Sequence, residues 1–401
     1  MKNRCILLVI IFFISIIILL VNSNNKYLVK EESLATYIDG EKTNSFPAKG
    51  TVAFSKADCD NNTNIEWDND NWGLYVTNLN EKTKCNIYFK TGENAVTKIT
   101  NLASSDTTNM ASDDPDNNIR YIGANPSNYV YFNCSDYANQ TSDTCELWRI
   151  IGVFNNIEKE DGTKENLIKI VRDDEIEWLS YDTSSSDINE GFGINDWSTS
   201  AMMRLLNSGY ELRKIGGSLY WNASGGSCYH GENNNIMDCY FMNKGLKNIR
   251  TKNSIQSIVW NLGGSTFVDT AKEFYQNERS TNVYKNNSTK WVGKVALMYP
   301  TDYWYATSGS STVPRTECLN KSLKDSESDC IQNNWRKSTT MEWTLTPYSQ
   351  TSTSGFCIEY GLLKLCNPYY GRNINPTLFL KSNILITSGD GSSNAPYQLG
   401  I

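Results

Sequence analysis

Cysteine is the residue type whose spacing says most about chemistry in this chain. Of 11 cysteines, Cys5 sits inside an apolar run and the other ten fall into five neighbouring couples. These are Cys59 with Cys85, Cys134 with Cys145, Cys228 with Cys239, Cys318 with Cys330, and Cys357 with Cys366. An even number at short spacings fits a disulfide framework in an oxidising compartment, with nearest neighbours paired. Four of the couples enclose only 8–11 residues, as clamps on hairpins would. A metal reading finds no C-x-x-C, and His230 is the sole histidine, set in a Gly- and Asn-rich loop with no nucleophile motif nearby. The chain also lacks the G-x-S-x-G, H-E-x-x-H, G-x-G-x-x-G and Walker patterns.

Carboxylates are the next candidates. Asp173, Asp174, Glu175 and Glu177 form the densest set. They are the place to look for a glycosidase pair, although an acidic strand end is the simpler reading. Asp113, Asp114 and Asp116 make an acidic turn with calcium-like composition, which reads more simply as solvated. The run from Asp68 to Gly73 begins like an EF-hand loop but has Trp72 where that loop forbids it, and no glutamate at the twelfth position. Asn195, Asp196 and Trp197 carry the composition of a calcium-lectin triplet in the wrong order, and serve better as the lead into a helix. No cofactor and no metal is expected. Aromatic residues make up 12% of the chain. Trp304, Tyr305, Tyr348, Tyr369 and Tyr370 fall in loop-like contexts and are the candidate ligand-binding rings, since exposed rings stack on sugar faces or anchor protein contacts.

These residues must be positioned by elements that the sequence also marks. The run from Cys5 to Val21 is apolar except for Ser15 and follows Lys2 and Arg4. As a helix it would be about 26 Å long, close to the hydrocarbon thickness. It is expected to anchor the chain in the membrane with the remainder outside the cell; removal as a signal before Asn24 is the alternative, leaving a secreted protein. Without Lys2 and Arg4, 35 basic residues face 44 acidic ones, so nucleic acid is a poor partner. A polar stalk then leads to a small β-sandwich over residues 33–90, closed by residues 84–90 (KCNIYFK). Residues 91–118 read as a short helix and a linker. Beyond them, residues 146–154 and 166–172 form a hairpin through Asp161 and Gly162. Ser198 or Thr199 caps a helix near residues 201–207, and further helices are expected over 253–259 and 269–278. Residues 294–299 are an expected strand, with a helix starting at Pro300. Strands over 342–346, 356–360, 362–366 and 377–380 close the chain, the middle two as a hairpin about Gly361.

Five blocks in order carry a resemblance: residues 146–153 (ELWRIIGV), 197–207 (WSTSAMMRLLN), 294–303 (KVALMYPTDY), 343–348 (WTLTPY) and 375–382 (NPTLFLKS). They resemble an uncharacterised surface-domain family of anchored, exported proteins from low-GC gut bacteria. The family's closing W-S-L-S-P and V-R-P-A-L-Y-L-K-S blocks look like the end of C-type-lectin-like and formylglycine-generating-enzyme-like folds. The resemblance spans about residues 119–401, and a module like that of residues 33–90 often accompanies it. Here Ile374, Asn375 and Pro376 stand where the pattern has V-R-P, which puts a family-wide anion site in doubt. Residues 388–399 (SGDGSSNAPYQL) resemble a structural terminator of surface β-modules. What the resemblance implies is an α+β chain with an N-terminal transmembrane helix over residues 1–22, the small β-sandwich, and a disulfide-clamped C-type-lectin-like domain over 119–401. The expected function is that of an extracellular binding or adhesion protein for a glycan or protein ligand. The alternatives are an exported carbohydrate-active hydrolase using a carboxylate pair, and a purely structural envelope component.

Overall fold

The computed structural model describes residues 34–60, 62–78, 83–183, 194–231, 235–337 and 339–401. The run from Cys5 to Val21 and the stalk lie outside them. Among the described residues, no helix is long and apolar enough to cross a membrane. The described residues are mixed α+β, mostly strands, with seven short α-helices among them.

In the N-terminal module, strands Glu41–Thr43, Leu34–Ile38, Cys85–Thr91 and Val52–Cys59 form one sheet in that order. Strand Cys85–Thr91 alternates buried and half-buried residues, so Cys85, Ile87 and Phe89 face inward. The hairpin of Asn64–Asp68 and Gly73–Thr77 lies over that face. Trp67 stacks on Phe54 at 5.3 Å and meets Trp72 and Phe89 edge-on at 4.8 and 5.4 Å. Cys59 and Cys85 are cross-strand partners and are bonded. So small a core depends on its staple. Replacing both cysteines by alanine is expected to destabilise the module by about 2–4 kcal/mol. Limited proteolysis is the check: cleavage should appear first within residues 34–91, leaving the rest of the chain intact.

All five disulfides join the neighbouring couples anticipated from spacing. Two of them clamp hairpins, Gly225–Tyr229 with Ile236–Tyr240 and Gly355–Glu359 with Leu362–Cys366. The second hairpin turns through Tyr360 and Gly361, both at positive φ.

The larger part of the chain is built on a seven-stranded antiparallel sheet. Its order is Val295–Ala296, Thr377–Phe379, Lys164–Arg172, Glu146–Glu158, Ile119–Tyr121 and Met110–Ala111, with Tyr129–Phe132 also paired to Glu146–Glu158. Residues 148–154 (WRIIGVF) are all buried, which is why they are apolar apart from Arg149 rather than alternating. Gly152 follows a register shift, and a Cβ there would come within 1.9 Å of the Ile119 carbonyl oxygen. Only glycine lets the Ile119–Tyr121 strand pair so closely. A five-stranded sheet, ordered Trp178–Ser180, Gly371–Asn373, Met341–Pro347, Gly355–Glu359 and Leu362–Cys366, completes the frame.

Several elements differ from expectation. Residues 91–118 are not a free linker: Glu93–Asn94 pairs with Leu385–Ser388, and Met110–Ala111 edges the large sheet. The expected helix over 253–259 is a helix at Ile249–Ser254 followed by a strand at Ile258–Asn261, because that strand has a partner in Lys290–Gly293. Ser200, not Ser198 or Thr199, caps the helix Ala201–Leu206, its hydroxyl accepting from the Met203 amide at 3.1 Å. The strand expected at 294–299 is only Val295–Ala296.

Candidate functional site

A cavity of about 330 Å³ opens between the large sheet and the Ile258–Asn261 strand. Phe154, Trp260, Tyr275, Tyr299 and Phe379 form its aromatic walls. Its polar lining includes Asp116, Asn155, Asn156, Asn261 and Arg279, with Lys169 at the floor. Each contribution follows from a local rule. Lys169 lies in the middle of a strand whose residues 167–172 are all buried, so its stem is held within the sheet. Tyr275 belongs to the helix Ala271–Glu278, capped by the Thr270 hydroxyl, and Arg279 follows its last turn.

Beneath the cavity runs a buried ion network. Asp302 takes the third position of the helix Pro300–Trp304, where its carboxylate accepts from the Tyr299 amide at 2.9 Å as one half of a capping box. Its two oxygens also contact Lys169 Nζ and, at 3.0 Å, Arg120 Nη1. Arg120 Nε donates to Asp114 at 2.7 Å, and Asp114 accepts from Asn118 at 2.9 Å. The side chains of Arg120, Lys169, Asp114 and Asp302 are at most 1% exposed. Burial alone would push Asp302 up, but Lys169 and Arg120 outweigh it and hold the carboxyl below its usual range. Burial draws Lys169 down to about 8 despite Asp302. Glu278, fully buried, is pushed up to about 7 by burial, against the pull of Arg279 at 2.9 Å and of Thr301.

The rings serve these cations. Lys169 Nζ lies 4.5 Å from the centroid of Tyr299, 5.2 Å from Phe154, 5.4 Å from Trp260 and 5.5 Å from Phe379. The Arg279 guanidinium lies flat on Tyr275 at 3.2 Å. Its Nε is 3.8 Å from Asp116, which accepts from the Tyr275 hydroxyl at 2.7 Å. The remaining wall is amide-rich, with Asn155 pinned to the Asp116 and Asn117 carbonyls at 3.3 and 2.8 Å. The rings are themselves 1–5% exposed and taken up by the cations, so what the site offers is fixed hydrogen-bonding groups, suited to orienting a small polar ligand.

The anticipated residues fare unequally. Trp304 and Tyr305 are each 2% exposed and belong to the core, which corrects their reading as ligand-binding rings. Trp304 Nε1 donates to the Cys318 carbonyl at 3.0 Å, and Tyr305 lies 5.1 Å from the Arg120 guanidinium. Helix Pro300–Trp304 turns both inward where the sequence had suggested a loop. Tyr348 packs edge-on against Phe356 at 6.0 Å and donates to Gln350 at 2.7 Å. Tyr369 and Tyr370 do form a ring pair, 4.8 Å apart, with Tyr370 40% exposed. They lie at the edge of the five-stranded sheet, away from the cavity.

The acidic turn is not left to solvent. Asp113 pairs with Arg315, Asp114 with Arg120, and Asp116 with Tyr275 and Arg279. Asp173 lies 3.6 Å from Arg149 at its strand end. Asn195 donates to the carbonyls of Tyr348, Thr351 and Ser354, holding a loop. Among the described residues, the group with metal-like spacing is Cys357, Glu359 and Cys366, but its sulfurs are joined to each other. His230 Nδ1 meets the Trp178 carbonyl at 3.0 Å.

Sequence reasoning missed Lys169, Arg120 and Asp302. The available signal was a charged residue inside an apolar run, as in residues 166–171 (NLIKIV) and 119–122 (IRYI). Comparisons with protein-family profiles, with curated proteins and with solved structures return no match.

Proposed function

We propose that the chain is a membrane-anchored, extracellular binding protein without catalytic activity. Its ligand site is the aromatic- and amide-lined cavity, and its ligand is a hydroxyl-rich group the size of one sugar residue, presented by a glycan. The observation that carries this reading is the cavity itself: about 330 Å³, lined by the amides of Asn155, Asn156 and Asn261, with Arg279 held on Tyr275. Sugars offer hydroxyls to fixed amides and to a guanidinium.

Export is supported by the five disulfides together with the basic, apolar leader. A C-type-lectin-like architecture for the larger part is supported by the way its ends meet. Strand Leu385–Ser388 lies between Glu93–Asn94 and the closing Gln398–Gly400. Tyr397 then exchanges backbone hydrogen bonds with Tyr129 and Tyr131 at 2.9 Å.

A glycan array probed with the exported chain tests the proposal. Retention of glycans sharing one terminal unit is expected, with a dissociation constant for the isolated unit of about 1 mM, equivalent to roughly −4 kcal/mol. Absence of retention combined with cleavage of an arrayed glycan would replace the binding reading with a hydrolase.

A further inference from the structure

We propose that Lys169 and Asp302 condense to an intramolecular amide, cross-linking the Lys164–Arg172 strand to the Pro300–Trp304 helix. Four observations converge on this pair. The Lys169 and Asp302 side chains are 0% and 1% exposed and in contact, so water does not separate the amine from the carboxyl. Asp302 is the only hydrogen-bond partner of Lys169 Nζ among the described residues, and aromatic rings surround the ammonium otherwise. The carboxyl is fixed by Arg120 Nη1 on Oδ1 at 3.0 Å and by the Tyr299 amide at 2.9 Å on Oδ2, the oxygen that Lys169 also contacts. A second buried acid, Glu278, is held by the Thr301 amide at 3.2 Å, one residue before Asp302.

The chemistry balances without an added reagent. Proton transfer within the contact pair converts ammonium and carboxylate into amine and carboxylic acid, uphill because Lys169 and Arg120 hold the Asp302 carboxyl below its usual range, and it is this neutral pair that reacts. The Nζ lone pair attacks Asp302 Cγ and an N–C bond forms. Arg120, already on Oδ1 and with Nη2 unpartnered, stabilises the oxyanion. The Cγ–Oδ2 bond then breaks, and that oxygen leaves as water with the acid proton and one amine proton. The water leaves through the cavity that Lys169 lines. Fixed proximity supplies the driving force that condensation lacks between free groups, with effective concentrations reaching roughly 10⁵–10⁸ M in well-oriented systems. The burial that lowers the Lys169 pKa to about 8 also eases its deprotonation. The inference does not require the cavity to hold a ligand.

Intact mass of the full chain, reduced and denatured, tests it. The protein is expected to be lighter than its composition by one water, about 18 Da, whereas a Lys169→Arg chain prepared identically should match its own composition. A tryptic digest should yield a branched peptide joining residues 165–172 to residues 295–315. Full mass in the unsubstituted protein, or recovery of both segments only as linear peptides, would overturn the cross-link and leave a salt bridge. The digest needs no variant, so the test survives a Lys169→Arg chain that fails to fold.

Discussion

Asp302→Ala is expected to destabilise the folded chain by about 3–5 kcal/mol, read as a lowered urea midpoint. The side chains of Asp302, Lys169 and Arg120 are all at most 1% exposed, and Asp302 joins the other two. Its removal leaves Lys169 buried without a counter-charge and takes from Arg120 one of its two carboxylates. The Tyr299 amide also loses its capping partner. Most of the cost is therefore the desolvation of cations left behind, not the strength of the lost pair. A cycle separates the two: Lys169→Met combined with Asp302→Leu should be much milder than Asp302→Ala, because no lone buried charge remains. Asp58→Ala sets the baseline, since Lys56 and Asp58 are 51% and 52% exposed and their pair is expected to contribute less than about 1 kcal/mol.

The second large effect is a rise in stability on acidification from pH 8 to pH 5. Burial raises the folded-state pKa of Glu146, Glu342, Glu278 and Asp182, and the last two are raised most. Glu278 is pushed to about 7 by burial, against Arg279, and Asp182 to about 7 by burial, against the amides of Thr183, Ala201 and Ile194. A carboxyl raised in the folded state binds its proton more tightly there, so its contribution is complete below the unfolded value and lost as pH rises through about 7. Each contributes on the order of 2 kcal/mol across this window. Below about pH 4, carboxylates held below their usual range, Asp113 beside Arg315 among them, take up protons on unfolding, and stability falls again. Urea midpoints at pH 5 and 8 should therefore differ, and Glu278→Gln should flatten part of that difference. Equal midpoints would mean that both groups are ionised in the folded chain.

Sequence logic reached furthest where interactions are local. The cysteine couples lie close along the chain, and the hairpins around Gly162 and Gly361 announce themselves in their turns, with both glycines at positive φ. It fell short where a distant partner decides. Residues 255–259 carry helix-like apolar spacing, yet Lys290–Gly293 recruits Ile258–Asn261 as a strand. Trp304 and Tyr305 read as loop rings until the helix that follows Pro300 turns them onto Cys318 and Arg120. The cavity was hidden for the same reason. Its lining comes from seven separate stretches of chain, its floor from a lysine whose role depends on an aspartate 133 residues away. Of the anticipated rings, only Tyr369 and Tyr370 remain as a surface alternative to the cavity.

Those two surfaces give the decisive comparison. With a glycan retained on the array, calorimetric titration of Arg279→Ala should show affinity weakened at least about tenfold, or roughly 1.4 kcal/mol. The Tyr369→Ala, Tyr370→Ala double variant should stay within about twofold of the unsubstituted chain. Loss of binding in the double variant, with Arg279→Ala unaffected, would contradict the assignment and move the ligand from the cavity to the sheet edge.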